Sequence, residues 1–237
     1  MGKKIIFFGG CKGVDKSNLL NRAIEIIKRG NHFANFNLIP ISKEFEEFIK
    51  LDKHSLPSPT LWYKDDWKKY DKQVIDKLCT SITASGGINI INNHFSVPYM
   101  GKENYLPGLE PTSLENLLIK SFLEKGINTG KVMSGITSPC FGLLLIDPEP
   151  SLIVDYYTGK YKNVDDNVLN YLSEQMILRD LEQNRSWAYS YCDIASAVLG
   201  KEYVYRETIY ITKDYLEHKG YIAIYQDIAN FLQRFTR

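Results

Sequence analysis

No stretch of this sequence stays apolar for the length a bilayer crossing needs. The short run Ile5–Phe8 breaks into glycines too soon to form a signal-peptide core. These two absences predict a cytoplasmic protein. Cysteine is scarce: Cys11, Cys79, Cys140 and Cys192 stand far apart and form no C-x-x-C pair. That spacing argues against a clustered thiolate metal site and against a disulfide framework, leaving four free thiols in a reducing compartment. A charge imbalance is missing too. Against 28 acidic residues stand 29 basic ones, a net charge of +1, so no bulk electrostatic case exists for nucleic acid or for an anionic membrane. Repeats and low-complexity segments are absent. What is there is ordinary: 237 residues, 44% hydrophobic and 24% charged, enough for one α/β domain with a substantial core.

Five apolar runs alternate with stretches of helical periodicity, which predicts a parallel five-stranded sheet with helices on both faces. The strands are expected at Lys4–Phe8, Asn37–Ile41, Ile88–Ile91, Phe141–Ile146 and Val204–Ile211. Helices are expected at Lys16–Lys28, Lys43–Leu51, Asp65–Thr83, Leu114–Glu124, within Asp165–Leu199 with one break, and at Tyr221–Phe235. Pro98, Pro107 and Pro111 predict an extended loop over Val97–Thr112. One domain spans residues 1–237, with an acceptor-side insert at about 42–83 and a short lid-like segment at about 156–170.

The first strand runs into Gly9-Gly10-Cys11-Lys12-Gly13-Val14-Asp15-Lys16-Ser17-Asn18. From Gly10 to Ser17 the spacing is G-x-x-x-x-G-K-S, a phosphate-binding P-loop, except that Asp15 stands where the second glycine belongs. Successive N–H groups of such a loop point at a phosphate, and the following helix adds its positive end. Lys16 is placed to reach the β/γ-phosphates and the Ser17 hydroxyl to coordinate Mg²⁺. Gly10 through Asn18 (Gly10, Cys11, Lys12, Gly13, Val14, Asp15, Lys16, Ser17 and Asn18) is the candidate site for ATP. Asp15 opposes it. At ~4 Å and an effective dielectric of ~20, its charge repels a phosphate by about 4 kcal/mol, on the order of a thousandfold in affinity. Lys12 is close enough in sequence to offset part of that.

Ile88-Asn89-Ile90-Ile91-Asn92-Asn93-His94, followed by Tyr105-Leu106-Pro107-Gly108-Leu109, resembles the archaeal-type adenylate kinases. That family has an apolar strand ending in Asp-x-His and a Gly-Tyr-Leu-Pro-Gly-Leu loop. Asn184-Arg185-Ser186-Trp187-Ala188-Tyr189-Ser190-Tyr191, with Gly200 after it, is similar to the family's Asn-Arg-x-x-Ala-x-x-Tyr helix. The resemblance implies a three-layer P-loop nucleoside monophosphate kinase fold. It also implies γ-phosphoryl transfer from Mg·ATP to a nucleotide. The acceptor would lie near Ser42, Asn93, His94 and Tyr105, and Arg185 would be the cation facing phosphates.

The departures fall at the chemistry. Asp15 replaces a glycine, and Asn92 replaces the strand-end carboxylate expected near Mg²⁺. The lid stretch Asp155–Asn170 carries only Lys160 and Lys162 where the family's lid is rich in arginine. Arg179-Asp180 looks like a lid pair but stands too close to Arg185 for that place. Bland alternatives stand beside each candidate. His94 can be a loop histidine satisfied by backbone, Arg185 can pair with Glu182, and Asp147 before Pro148 can be a turn residue. Trp62, Tyr63, Trp67 and Tyr70 have helical spacing and read as core. Two functions follow: a nucleotide kinase of adenylate kinase type, weakened, or a degenerate relative acting as a nucleotide-binding or protein-interaction module. An unrelated P-loop protein is disfavoured by the Leu-Pro-Gly-Leu loop and by the lack of a guanine-reading Asn-Lys-x-Asp run.

Overall fold

The structure, a computed structural model, describes residues 3–11, 14–30, 34–53, 64–85, 87–99, 104–123, 140–160 and 174–236. Lys12, Gly13, Trp62, Tyr63 and most of the lid-like segment lie outside the described residues. The central strand is β1 (Lys4–Gly10). Its apolar run has no polar alternation because both faces are covered, as parallel sheets require. All seven of its residues are buried. Beside it lie β3 (Ile88–Asn93) and β6 (Phe141–Pro148), with β2 (Phe36–Pro40) and β7 (Val204–Ile211) at the edges, in the order β2-β3-β1-β6-β7. Every pairing in this sheet is parallel. The fold is α/β with helices around a five-stranded parallel sheet, and the strand order is that of a P-loop kinase-like fold.

Alternate residues of β1 divide the core. Ile5 and Phe7 join the residues of α2 (Ile41–Lys53), α3 (Lys64–Ala84), α4 (Pro111–Leu118) and α6 (Glu174–Leu199). Ile6 and Phe8 face α1 (Lys16–Gly30) and α7 (Lys213–Gln233). Leu19, Leu20, Ala23, Ile24 and Ile27 are the buried stripe of α1, as the periodicity predicts. Burying a Leu or Ile side chain contributes about 1.5–3 kcal/mol, so this stripe fixes the helix behind the loop.

Two expectations are corrected. Residues 97–112 are not one loop: β4 (Ser96–Tyr99) and β5 (Asn104–Pro107) form an antiparallel hairpin, and α4 then begins at Pro111. Pro98 and Pro107 fit because a two-stranded ribbon leaves N–H positions unpaired at its edges. The last helical segment starts at Lys213, not Tyr221, and is kinked at Gly220, whose φ of 68° and ψ of 175° are non-helical. A helix, α5 (Pro150–Lys160), occupies the start of the lid-like segment.

Candidate active site

The described residues of the Gly10–Asn18 turn, with Ser42, Asn93 and His94, follow the carboxyl ends of parallel strands, where open α/β sheets bind ligands, while Tyr105 lies on the β4–β5 ribbon and Arg185 on α6. The loop after β1 turns directly into α1. Its glycines answer first to packing: a Cβ on Gly10 would meet the Ile146 carbonyl oxygen at 2.4 Å, and one on Gly9 the Phe95 ring at 2.6 Å. Cys11 is buried against Ile153, Ile177 and Leu181. Burial pushes its thiol up to about 12, with Lys16 pulling the other way.

Lys16 is buried and folded back onto its own loop. Its Nζ donates to the Cys11 carbonyl at 2.9 Å and to the Gly10 carbonyl at 3.4 Å. It also lies 3.3 Å from Nδ1 of His94, which sits 3.2 Å from the Gly10 carbonyl. The structure therefore brings His94, expected on the acceptor side, to the phosphate loop. Asp15 is exposed and its role was missed in the sequence. Its Oδ1 accepts the Asn18 amide at 3.2 Å, an N-cap on α1. The signal was present: an aspartate immediately before an apolar-periodic stretch is a helix start.

Asn92, at the end of β3, donates Nδ2 to the Ser17 hydroxyl at 3.1 Å. This is the strand-end position expected to bear a carboxylate beside Mg²⁺. A metal of this kind is held through one or two carboxylates besides phosphate oxygens. Among the described residues no group of three His, Cys, Asp or Glu could hold a metal ion. Asp15 caps α1, and Asp155 pairs with Lys213 at 3.0 Å. The described residues do not fit a Mg²⁺ site.

Arg185 departs from expectation. Its guanidinium is engaged by Asp147 in a bidentate pair, Nε to Oδ2 at 2.7 Å and NH2 to Oδ1 at 3.0 Å. The Asp147 side chain is 1% exposed and that of Arg185 40%. Hydrogen bonding to Asp147 holds the guanidinium pKa above its ordinary value. Asp147 is thus a strand residue rather than a turn residue, and it, not Glu182, makes the bidentate pair with Arg185, Glu182 adding only a weaker electrostatic pull.

On the acceptor side, Ser42 is exposed in the first turn of α2 and Tyr105 is half-buried on β5. Asn93 is buried beside Gly108, and its Nδ2 has no hydrogen-bond partner among the described residues. Tyr70 is core, as expected. Helix α6 pins this side: the Asn184 Oδ1 accepts the amides of Phe95 at 3.0 Å and Ser96 at 3.2 Å.

A cavity of about 630 Å³ opens beside the loop. Its walls are Val14, Asp15, Asn18 and Leu19 from the loop and α1, and Pro148, Leu152, Ile153 and Asp155 from β6 and α5. Ile211, Leu216, Tyr221 and Tyr225 complete it from β7 and α7. A space of this size with apolar walls, aromatic side chains and few polar groups suits a planar organic group.

No family model and no curated protein matches the chain. Among solved structures it is similar to the tunicamycin resistance protein of Deinococcus radiodurans. The two are 11% identical, with 97% of this chain and 95% of that one covered and a TM-score of 0.49. An uncharacterised protein from Eubacterium ventriosum is 11% identical, with 95% and 98% covered and a TM-score of 0.38. Likenesses this distant decide nothing about activity. The fold rests on the strand order and the loop, and the adenylate kinase resemblance on its motifs alone.

Proposed function

We propose that the chain is a P-loop nucleotide-binding protein of kinase type. A nucleoside triphosphate lies with its phosphates over the Gly10–Asn18 turn and its base in the adjoining cavity. A nucleotide acceptor lies toward Ser42, Asn93, His94 and Tyr105. One observation carries the reading: Lys16 and Ser17 open a helix directly after the central strand, and Asn92 of the neighbouring strand touches Ser17. In this reading Lys16 leaves the Gly10 and Cys11 carbonyls to meet phosphate.

A second reading keeps the binding and drops the transfer. It is favoured by the neutral amide at Asn92 and by the commitment of Arg185 to Asp147. Calorimetric titration with ATP, followed by a coupled transfer assay over a panel of nucleoside monophosphates, separates the two. Lys16→Ala is expected to abolish ATP binding while the far-UV spectrum stays unchanged. Binding without transfer supports the second reading, and no binding at all rejects both.

A further inference from the structure

The contact between Asn92 and Ser17 is where this chain disagrees with the metal its motif implies. A hydroxyl recruits Mg²⁺ by turning an oxygen lone pair toward it. Here an N–H of Asn92 points at the Ser17 Oγ from 3.1 Å, placing the positive end of a dipole beside that oxygen. Turned the other way, the amide would offer a neutral oxygen and still supply no charge. Three of the described acids around the loop are already engaged. Asp15 accepts the Asn18 amide, Asp147 holds Arg185, and Asp155 pairs with Lys213. Among its described residues, the loop retains for an anion Lys16 and the N-terminal end of α1.

We infer that this phosphate site takes the polyphosphate of a nucleotide as the bare anion, without a divalent cation. The inference rests on the nucleotide-binding part of the proposed function, common to both of its readings. Without a strand-end carboxylate nothing at Asn92 repels the uncomplexed polyphosphate or rewards the metal complex over it, and the Asp15 charge, which opposes an anion at this turn, is directed onto the Asn18 amide.

The experiment is a calorimetric titration of the full chain with ATP, in EDTA and again in excess MgCl₂. The dissociation constant is expected to agree between the two buffers within about threefold. Asn92→Asp is expected to make the pair diverge, with ATP bound at least about tenfold tighter in MgCl₂ than in EDTA. Ser17→Ala is a second variant that leaves the strand untouched. Whatever that change does to affinity, its dissociation constants in the two buffers are expected to agree within about threefold, because Ser17 holds no metal. Wild-type binding that is tenfold tighter in MgCl₂ than in EDTA, with that difference lost in Ser17→Ala, overturns the inference and leaves the nucleotide reading standing. No ATP binding in either buffer by a protein with a normal far-UV spectrum overturns the nucleotide reading itself, and this inference with it.

Discussion

The phenol oxygen of Tyr191 lies 2.6 Å from the amide nitrogen of Leu109 and 2.6 Å from its carbonyl oxygen. The hydroxyl accepts from the first and donates to the second, so one side chain on α6 satisfies both backbone groups of the residue that ends the Leu-Pro-Gly-Leu run. The ring is fully buried and meets Phe7 and Phe95 edge-on, each at 5.8 Å between centroids. Together with Asn184 on the same helix, it ties α6 to both segments that border the proposed acceptor.

Tyr191→Phe keeps the ring and removes the oxygen. Two buried backbone groups then lose their partner, and an unsatisfied buried group costs about 1–3 kcal/mol. Chemical denaturation should show a loss in that range. A variant as stable as the parent would mean that the Leu109 groups find another partner.

Asp71 predicts a pH dependence. Its carboxylate is buried on α3, accepts the Glu110 amide at 3.1 Å and the Ser113 hydroxyl, and so anchors the start of α4. Burial pushes its pKa up from 3.8 to about 6, and the two hydrogen bonds offset only part of that. Between those values the folded chain holds a proton that the unfolded chain has released, so stability falls as pH rises through this window. Asp71→Asn can keep both hydrogen bonds, with the amide donating to Ser113. It should flatten the slope and raise stability near neutral pH by on the order of 2 kcal/mol. Thermal melts across the window check it; parallel curves for variant and parent would reject the assignment.

The legible part of the fold is where burial alone sets the pattern. The edge strand β7 has the predicted bounds, Val204–Ile211, and the buried stripe of α1 is the predicted one. Less legible are elements made by pairing rather than periodicity. The β4–β5 ribbon hides behind Pro98 and Pro107, since proline marks loops far more often than edge strands. The first two turns of α7 are cut off from the rest by Gly220. At the site, the strand-to-helix turn follows from order along the chain, whereas the contact of His94 with Lys16 does not. The pairing of Arg185 with Asp147 joins residues 38 positions apart, and no local signal announces it. Asp15 reads in the sequence only as a misplaced charge, and geometry adds that its oxygen has a backbone partner.

That dual role of Asp15 can be separated by substitution. Asn is about as good an N-cap as Asp, whereas Ala loses about 1 kcal/mol. Asp15→Asn should therefore leave stability nearly unchanged, while Asp15→Ala lowers it by that amount. Because Asp15 also lines the cavity, removing its charge should tighten ATP binding in Asp15→Asn. Calorimetry beside denaturation measures both. Equal ATP affinity in parent and Asn variant would show that the carboxylate does not face phosphate.

Gly108 provides the sharpest steric test. A Cβ there would lie 1.6 Å from the His94 carbonyl oxygen and 2.8 Å from Nδ2 of Asn93. The first of these is backbone and cannot swing aside. The Gly108 amide also donates to the Phe95 carbonyl at 2.8 Å, which locks the loop against that same segment. Gly108→Ala must push the two segments apart, and with them His94, whose ring touches Lys16. Forced overpacking typically costs about 1–3 kcal/mol. The variant should lose at least that in denaturation and should also change ATP affinity, because the Lys16–His94 contact is displaced. By contrast, Gly30→Ala, with nothing within 4 Å of the new methyl group, should leave ATP affinity at the parent level. If Gly108→Ala behaves like Gly30→Ala in both measurements, the close packing of the Leu-Pro-Gly-Leu loop on the strand end is wrong.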